Sequence, residues 1–316
     1  MRVLVTGGAG FIGANLCHML SSDERVTEIV AYDNLSTGFH QNLAGSRAQL
    51  VEADLLDVEQ LEASAAGCHS IVHLAARGSV PKSIEDPVAS HHANATGTLH
   101  VLEAARRAGV NHVIVASSSS VYGANPQLPK TESLKPSPLS PYAASKLATE
   151  AYALAHQASF GLRVLAFRFF NVFGPLQTAG HAYAAVVPAF VHAAITDEPL
   201  RIHGDGEQSR DFTFVNDVCG ILSQTLIDQV AHDEPVNLAF GGRVTLLELV
   251  DLLEKALDRS LPREHGPERP GDVRHSQADQ TRLRSLFPLM KPTSVARGLE
   301  ETLAWFQSGC GPLSPV

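Results

Sequence analysis

Two rhythms of apolar residues alternate along this chain. A continuous run begins at Val3, breaks into glycines (VLVTGGAGFIG, 3–13) and resumes at helical spacing through Phe11, Ile12, Leu16, Met19 and Leu20. That pattern predicts a strand, a tight turn and a helix. Further short runs at Glu28 to Tyr32, Gln49 to Glu52, Ser70 to Leu74 and Val113 to Ala116 read as strands. The last two are apolar enough to be covered on both faces of a parallel sheet. Pro87 opens a long helix whose positions Val88, Ala95, Leu99 and Leu102 keep helical spacing and which Gly109 ends; Ser140-Pro141 opens another. Strands and helices in alternation predict an α/β fold, a doubly wound parallel sheet.

The second half is less regular. Pro188 to Ile195 reads as a short helix, Leu200 to His203 and Val236 to Ala239 as strands, and Leu246, Leu249, Leu253 and Leu257 as one helix face. The polar stretch Arg259 to Asp272 reads as a loop, and Val295, Leu299, Leu303 and Phe306 lie on a last helix before a frayed tail. Residues 1–170 are thus expected to form one domain and 171–316 mainly a smaller C-terminal α/β lobe, with 211–230 returning to the sheet as a strand and helix.

The glycines give the first domain its chemistry. Gly7, Gly10 and Gly13 are spaced by three, and Gly8, Gly10 and Gly13 also satisfy G-x-G-x-x-G, so backbone N–H groups can approach a pyrophosphate at a helix N-terminus. Asp33 ends the next strand twenty residues after Gly13. A carboxylate there accepts both adenosine ribose hydroxyls and repels a 2′-phosphate, which favours NAD over NADP. The polar turn Asn34-Leu35-Ser36-Thr37-Gly38 suits that ribose, Asp54 can reach the adenine amino group, and Ala75-Ala76 leave room for a cofactor.

A second constellation follows the strand that ends in Ser117 to Ser120. Tyr142 and Lys146 are four residues apart on one helix and share a face. Bringing a phenol from a pKa of about 10 to about 7 takes roughly 4 kcal/mol. One charge at about 4 Å, with an effective dielectric near 20, supplies about that much. Tyr142 beside a charged Lys146 can therefore act as a base near neutral pH.

Composition removes other classes. The chain of 316 residues can bury one large core or a large and a small one. No run is long enough for a membrane span, and no secretory signal precedes the first strand. Cys17, Cys68, Cys219 and Cys310 are scattered without a C-x-x-C pair, which argues against a disulfide framework or a zinc site and suits the cytoplasm. The 15 histidines lack metal-ligand spacing, with His91 and His92 read as surface or interface residues, and a formal net charge of −9 offers nucleic acid no basic patch.

TGGAGFIG (6–13), DNLSTG (33–38), ADLLD (53–57), HLAA (73–76), SSSSVYG (117–123), YAASK (142–146), RFFNVFGP (168–175), GDGEQSRDFTFVNDV (204–218) and RPGDVRHSQAD (269–279) together resemble the extended short-chain dehydrogenase/reductases acting on nucleotide sugars. The likeness covers nearly the whole chain. It is closest to the UDP-sugar 4-epimerases, particularly those accepting N-acetylated hexosamines, which are also similar at RGSVPKSIEDP (77–87) and AYAAVVP (182–188). The resemblance implies a Rossmann-type sheet and a catalytic triad of Ser118, Tyr142 and Lys146, with Ser118 on the sugar 4-oxygen and Lys146 also holding the nicotinamide ribose. It adds Phe11, Ile12, Leu55, Leu74, Asn94 and Phe169 to the cofactor site. On the substrate side it implies Ser79, Val80, Ser119 and Ser120 beside the hexose, Asn171, Arg210 and Arg269 on the UDP phosphates, and Asp272 on the uridine ribose.

Dehydratases of this kind carry a carboxylate just after the catalytic Ser or Thr, where Ser119 and Ser120 stand. Without one, elimination of water lacks its general acid. The implied reaction is 4-epimerisation through a transient 4-keto sugar. Ser276 aligns with a bulky Tyr of the glucose-specific relatives and leaves room for a 2-acetamido group, so UDP-GlcNAc/UDP-GalNAc is the expected pair, with UDP-glucose/UDP-galactose tolerated. UDP-uronic acids are the alternative, because Arg77 could read a C6 carboxylate or could be a salt-bridge residue. A silent NAD-binding regulator is the alternative class, although such proteins typically lose the Tyr/Lys pair. The resemblance also implies a homodimer, with helices about 88–108 and 141–158 forming a four-helix bundle through Ala143, Ala144, Ala148 and Ala151.

Overall fold

The computed structural model describes residues 1–179, 185–268 and 273–308. Its first half runs β1 (Arg2–Thr6), α1 (Phe11–Ser21), β2 (Glu28–Asp33), β3 (Gln49–Glu52), α2 (Val58–Ala65), β4 (Ser70–His73), α3 (Val80–Glu85), α4 (Pro87–His91), α5 (Gly97–Ala108), β5 (His112–Ser118), α6 (Pro141–Phe160) and β6 (Arg163–Phe169). The second half adds β7 (Val172–Phe173), α7 (Val186–Ile195), β8 (Leu200–His203), β9 (Ser209–Arg210), β10 (Thr213–Phe214), α8 (Val215–Asp228), β11 (Val236–Leu238), β12 (Val244–Thr245), α9 (Leu246–Leu257), β13 (Arg263–Gly266), α10 (Thr281–Leu286) and α11 (Val295–Gln307).

Seven parallel strands form the main sheet in the order β11-β6-β5-β4-β1-β2-β3. Strand order reverses between β1 and β4, so their carboxyl ends splay apart and open the crevice where doubly wound sheets bind ligands. Helices cover both faces. Leu4, Ile71, Val113 and Val164 pack under one set, and Val3, Val72, Ile114 and Leu165 under the other.

Local chemistry sets the helix ends. The Ser140 side chain accepts from the Ala143 amide at 3.1 Å, and Pro141 fits the first helical position. Gly109 ends α5 at φ 72°, where only glycine avoids the left-handed penalty. The single helix predicted from Pro87 to Gly109 is interrupted, because His92–Thr96 winds as a π-turn. There the Asn94 carbonyl accepts from the Thr98 and Thr149 hydroxyls at 2.5 and 3.3 Å, which loosens the regular ladder. Val88, expected on the apolar stripe, is 63% exposed.

Two other expectations change. The strand that returns to the main sheet is β11, parallel to β6, so the returning segment extends beyond 230; β10 pairs with β7 and α8 packs on α1. The stretch 259–272, read as a loop, contains β13 along β8 in parallel register, Arg263 opposite Leu200. Strand β8 buries Leu200 and Ile202, and β13 pairs along it. REHG (263–266) has no apolar alternation to announce its pairing there. Cys17, Cys68 and Cys219 are buried free thiols. Arg269, Asp272, Cys310 and the tail from 309 lie outside the described residues.

Candidate active site

The turn after β1 is packed too closely for side chains. A Cβ on Gly7, at φ 69°, would sit 2.7 Å from the Ala75 nitrogen, and one on Gly13 would sit 2.0 Å from the Gly7 carbonyl oxygen. Gly10 has only that same oxygen near it, at 3.2 Å. The turn therefore exposes backbone at the start of α1, which suits a pyrophosphate. Asp33 stands at the end of β2 with Oδ2 accepting from the Ala9 amide at 3.0 Å and Oδ1 from that of Leu35 at 2.9 Å. Burial raises its carboxyl pKa against those amides and that of Gly10, and ribose hydroxyls would add further donors. The Asn34 amide donates to Asp54 at 2.7 Å, the Ser36 amide to Asn34 at 3.1 Å, and Gly38 closes on Ala9. Leu74, Ala75 and Ala76 follow β4 on the other side, where Ala75 donates to the Thr6 hydroxyl at 3.4 Å. Phe11, Ile12 and Phe169 are half-buried, Leu55 and Thr37 lie on the neighbouring turns, and the whole arrangement fits an adenine dinucleotide.

Ser118 is the last residue of β5, and its hydroxyl accepts from the Ser120 amide at 3.1 Å and hydroxyl at 2.9 Å. Tyr142 enters the same corner from the first turn of α6, where the helix dipole favours negative charge. Its own amide donates to the Ser83 hydroxyl of α3 at 3.0 Å. Burial pushes the phenol pKa up, and the hydrogen bond with Ser118 pulls it back. Lys146 is buried, its Nζ donating to the Ala116 carbonyl at 2.8 Å, and burial lowers its pKa to about 8. The counterweight on the phenol is thus Ser118. The ammonium is turned to the tip of β5.

Two buried networks that the sequence did not announce stand behind this corner. In the first, the His73 ring joins the Thr6 hydroxyl at 2.7 Å to that of Thr98 at 3.0 Å, and Thr98 continues to Thr149 at 3.0 Å. Asn94, inside the π-turn, donates to the Ser145 hydroxyl at 2.8 Å and accepts from the Arg77 amide at 2.7 Å, while Ser145 donates to the Tyr142 carbonyl at 2.8 Å. In the second, Arg168 pairs with Glu150 at 2.6 Å, both almost wholly buried, and stacks 4.8 Å from the Tyr122 ring centroid. Glu150 also accepts from Ser117 at 3.0 Å, which fixes the end of β5 from below. Several members, among them Thr6, His73, Ser117, Tyr122, Ser145 and Arg168, fall inside the quoted motifs and Asn94 was assigned to the cofactor, but nothing in the sequence tied them to one another or to Thr98, Thr149 and Glu150.

On the far side of the corner, Ser79 caps α3 by accepting from the Lys82 amide at 3.3 Å, and Val80 is 39% exposed. The Asn171 amide donates to the Asp211 carbonyl at 3.3 Å. Arg210 donates to the carbonyls of Ser209 and Arg274 at 2.9 and 3.2 Å, and the Ser276 amide donates to Ser209 at 3.0 Å. Arg77 Nη1 lies 3.6 Å from the carboxylate of Asp86, the cap of α4. Ser119 and Ser120 open a single turn of 3₁₀ helix, Ser119–Tyr122, after β5, and neither position carries a carboxylate.

A glycine crevice ending in an acidic strand tip, beside a tyrosine and a buried lysine on one helix, defines an NAD-dependent enzyme of the short-chain dehydrogenase type. The chain belongs to the NAD-dependent epimerase/dehydratase family, whose model matches residues 3–239. A UDP-glucose 4-epimerase of Mycolicibacterium smegmatis is 34% identical over 98% of this chain and 99% of its own length. A UDP-N-acetylglucosamine 4-epimerase of Methanobrevibacter ruminantium, solved with UDP-N-acetylmuramic acid, superposes with a TM-score of 0.92 at 36% identity over 98% of both chains. A UDP-glucose 4-epimerase of Thermus thermophilus solved with NAD gives 0.88 at 32% identity over 97% of this chain and 99% of that one.

Proposed function

We propose that this enzyme interconverts the C4 epimers of a UDP-hexose, with UDP-N-acetylglucosamine/UDP-N-acetylgalactosamine as its preferred pair and UDP-glucose/UDP-galactose tolerated. The observation that carries the reading is the Ser118–Tyr142 contact at the end of β5, with the buried Lys146 on the Ala116 carbonyl behind it and no carboxylate at 119 or 120. The Tyr142 oxygen takes the 4-hydroxyl proton and later returns it, Ser118 holds the sugar 4-oxygen, and Lys146 is assigned to the nicotinamide ribose. When bound, NAD supplies the acceptor and donor of the C4 hydrogen. Arg210, with Asn171, Arg269 and Asp272, is assigned to the UDP moiety, since a guanidinium fork matches phosphate oxygens. UDP tethered there leaves the hexose free to present either face. Ser276 supports a substrate with a bulky 2-substituent. Reading of a C6 carboxylate by Arg77 is disfavoured, because Asp86 already faces that guanidinium. A homodimer is part of the proposal, through exposed residues of α4 and α6.

The test is incubation of purified enzyme with UDP-N-acetylglucosamine, UDP-glucose and UDP-glucuronic acid in turn, with products resolved by proton NMR. The C4 epimer should form fastest from the first, and Tyr142→Phe should slow it by roughly 10²- to 10⁴-fold. A 4-keto-6-deoxy product, or full activity in the variant, would overturn the proposal.

A further inference from the structure

We infer that Asp211 is a positioning residue for the nucleotide half of the substrate, its carboxylate knotting the segments that carry Asn171, Arg210 and Ser276 into one anion-binding surface. The inference deepens the UDP-sugar reading and rests on it. Asp211 is only 1% exposed. Oδ2 accepts from the Ala278 amide at 3.0 Å, and its main-chain carbonyl accepts from Asn171 at 3.3 Å. Oδ1 is buried and turned toward the amides of Phe240, Gly241 and Gly242, yet it closes no full hydrogen bond among the described residues. Four backbone amides thus lie around one carboxylate, with no cation paired to it among the described residues.

Such an arrangement is costly for folding alone, because an unsatisfied buried oxygen loses its water without full repayment. Its effect on the site is direct. Arg210 is hydrogen-bonded to the carbonyls of both Ser209 and Arg274, so slack between these two segments would displace its guanidinium. Asp211 joins the same two segments one turn of pleat further on, through Ala278. Ionisable residues on the segments packed around it are Lys130, Arg210, Arg243, Arg274, His275 and Asp279. Burial against the amides of Ala278, Gly241, Gly242 and Phe240 sets the carboxyl pKa, raised to about 6. Protonation removes the charge that gathers these amides, so grip on the diphosphate should slacken as pH falls through that value.

The test measures the dissociation constant of UDP-glucose by calorimetry between about pH 5 and 7.5, a range in which its diphosphate diester does not titrate. Wild-type affinity should fall about fivefold by pH 5, one unit below the midpoint, and approach a tenfold loss below it. Asp211→Asn should bind about tenfold more weakly at pH 7.5, show no such pH limb, and raise KM with little change in kcat or NAD content. If the variant does not fold, the wild-type curve decides: affinity independent of pH overturns the role. Asp211→Asn binding like the wild type overturns it too while leaving the UDP-sugar reading intact. Wild-type protein that binds no UDP-sugar at any pH overturns both.

Discussion

At the scale of single residues, one buried group behind the site is kept from ionising. His73 is sealed between two threonine hydroxyls, and burial, with the nearby Lys146 charge, lowers its pKa to about 3. A second cation beside Lys146 is thereby avoided. An ordinary histidine in the unfolded chain titrates near 6.5, so between those values the unfolded state holds a proton that the folded state refuses. The neutral ring's contribution is complete above about pH 6.5 and is lost progressively as pH falls toward 3. We predict that His73→Gln flattens this limb: urea unfolding at pH 6.5 and pH 5 should differ by about 2 kcal/mol less than in the wild type. An equal fall in both proteins would assign the acid sensitivity elsewhere. None of this was legible in the sequence, where Thr6, His73, Thr98 and Thr149 are separated by up to 143 residues.

Elements announced themselves when their signals were local. The turn after β1, the Ser140-Pro141 start of α6 and the Gly109 end of α5 each depend on residues within a turn of one another, and all three stand where the sequence puts them. Strand β13 did not, because its partner edge is more than 60 residues away and its own side chains face water. The π-turn was hidden for a related reason: the Thr149 hydroxyl that helps hold it comes from α6. In the site, the glycine turn, Asp33 and the Tyr142–Lys146 pair were visible as motifs, whereas the Arg168–Glu150 support and the Asp211 knot required tertiary contacts. The tightness of the glycine turn gives a prediction for this element. Gly13→Ala must push α1 away from β1, since its Cβ would lie 2.0 Å from the Gly7 oxygen. We expect a stability loss of about 1–3 kcal/mol or more and a large loss of NAD affinity, measured by thermal melts and by fluorescence titration. Unchanged binding would show that the turn can relax without harm.

For the whole molecule, the exposed apolar residues lie largely along α3, α4 and α6: Ile84 is 65%, Val88 63%, Tyr152 42% and Phe160 57% exposed. Of the four alanines considered for an interface, Ala143 is packed inside, Ala148 is half-buried, and Ala144 and Ala151 face outward. A second copy would cover Val88 and Tyr152, as the proposed four-helix bundle requires. Val88→Glu combined with Tyr152→Glu should convert the protein to a monomer in sedimentation velocity while leaving the far-UV spectrum intact; a sedimentation coefficient equal to that of the wild type would place any interface elsewhere. No described helix is long and apolar enough to cross a membrane.

The outermost strand beside β6 is β11, spelled by Val236–Leu238, long after the chain has left the other six and built part of the lobe. Between them the chain threads out through β7, β8 and β9 and home again along α8. The chain after Phe169 is therefore stitched back into the main sheet rather than set apart from it. A chimera that exchanged residues 171–308 for a relative's would import a rib of the main sheet along with them.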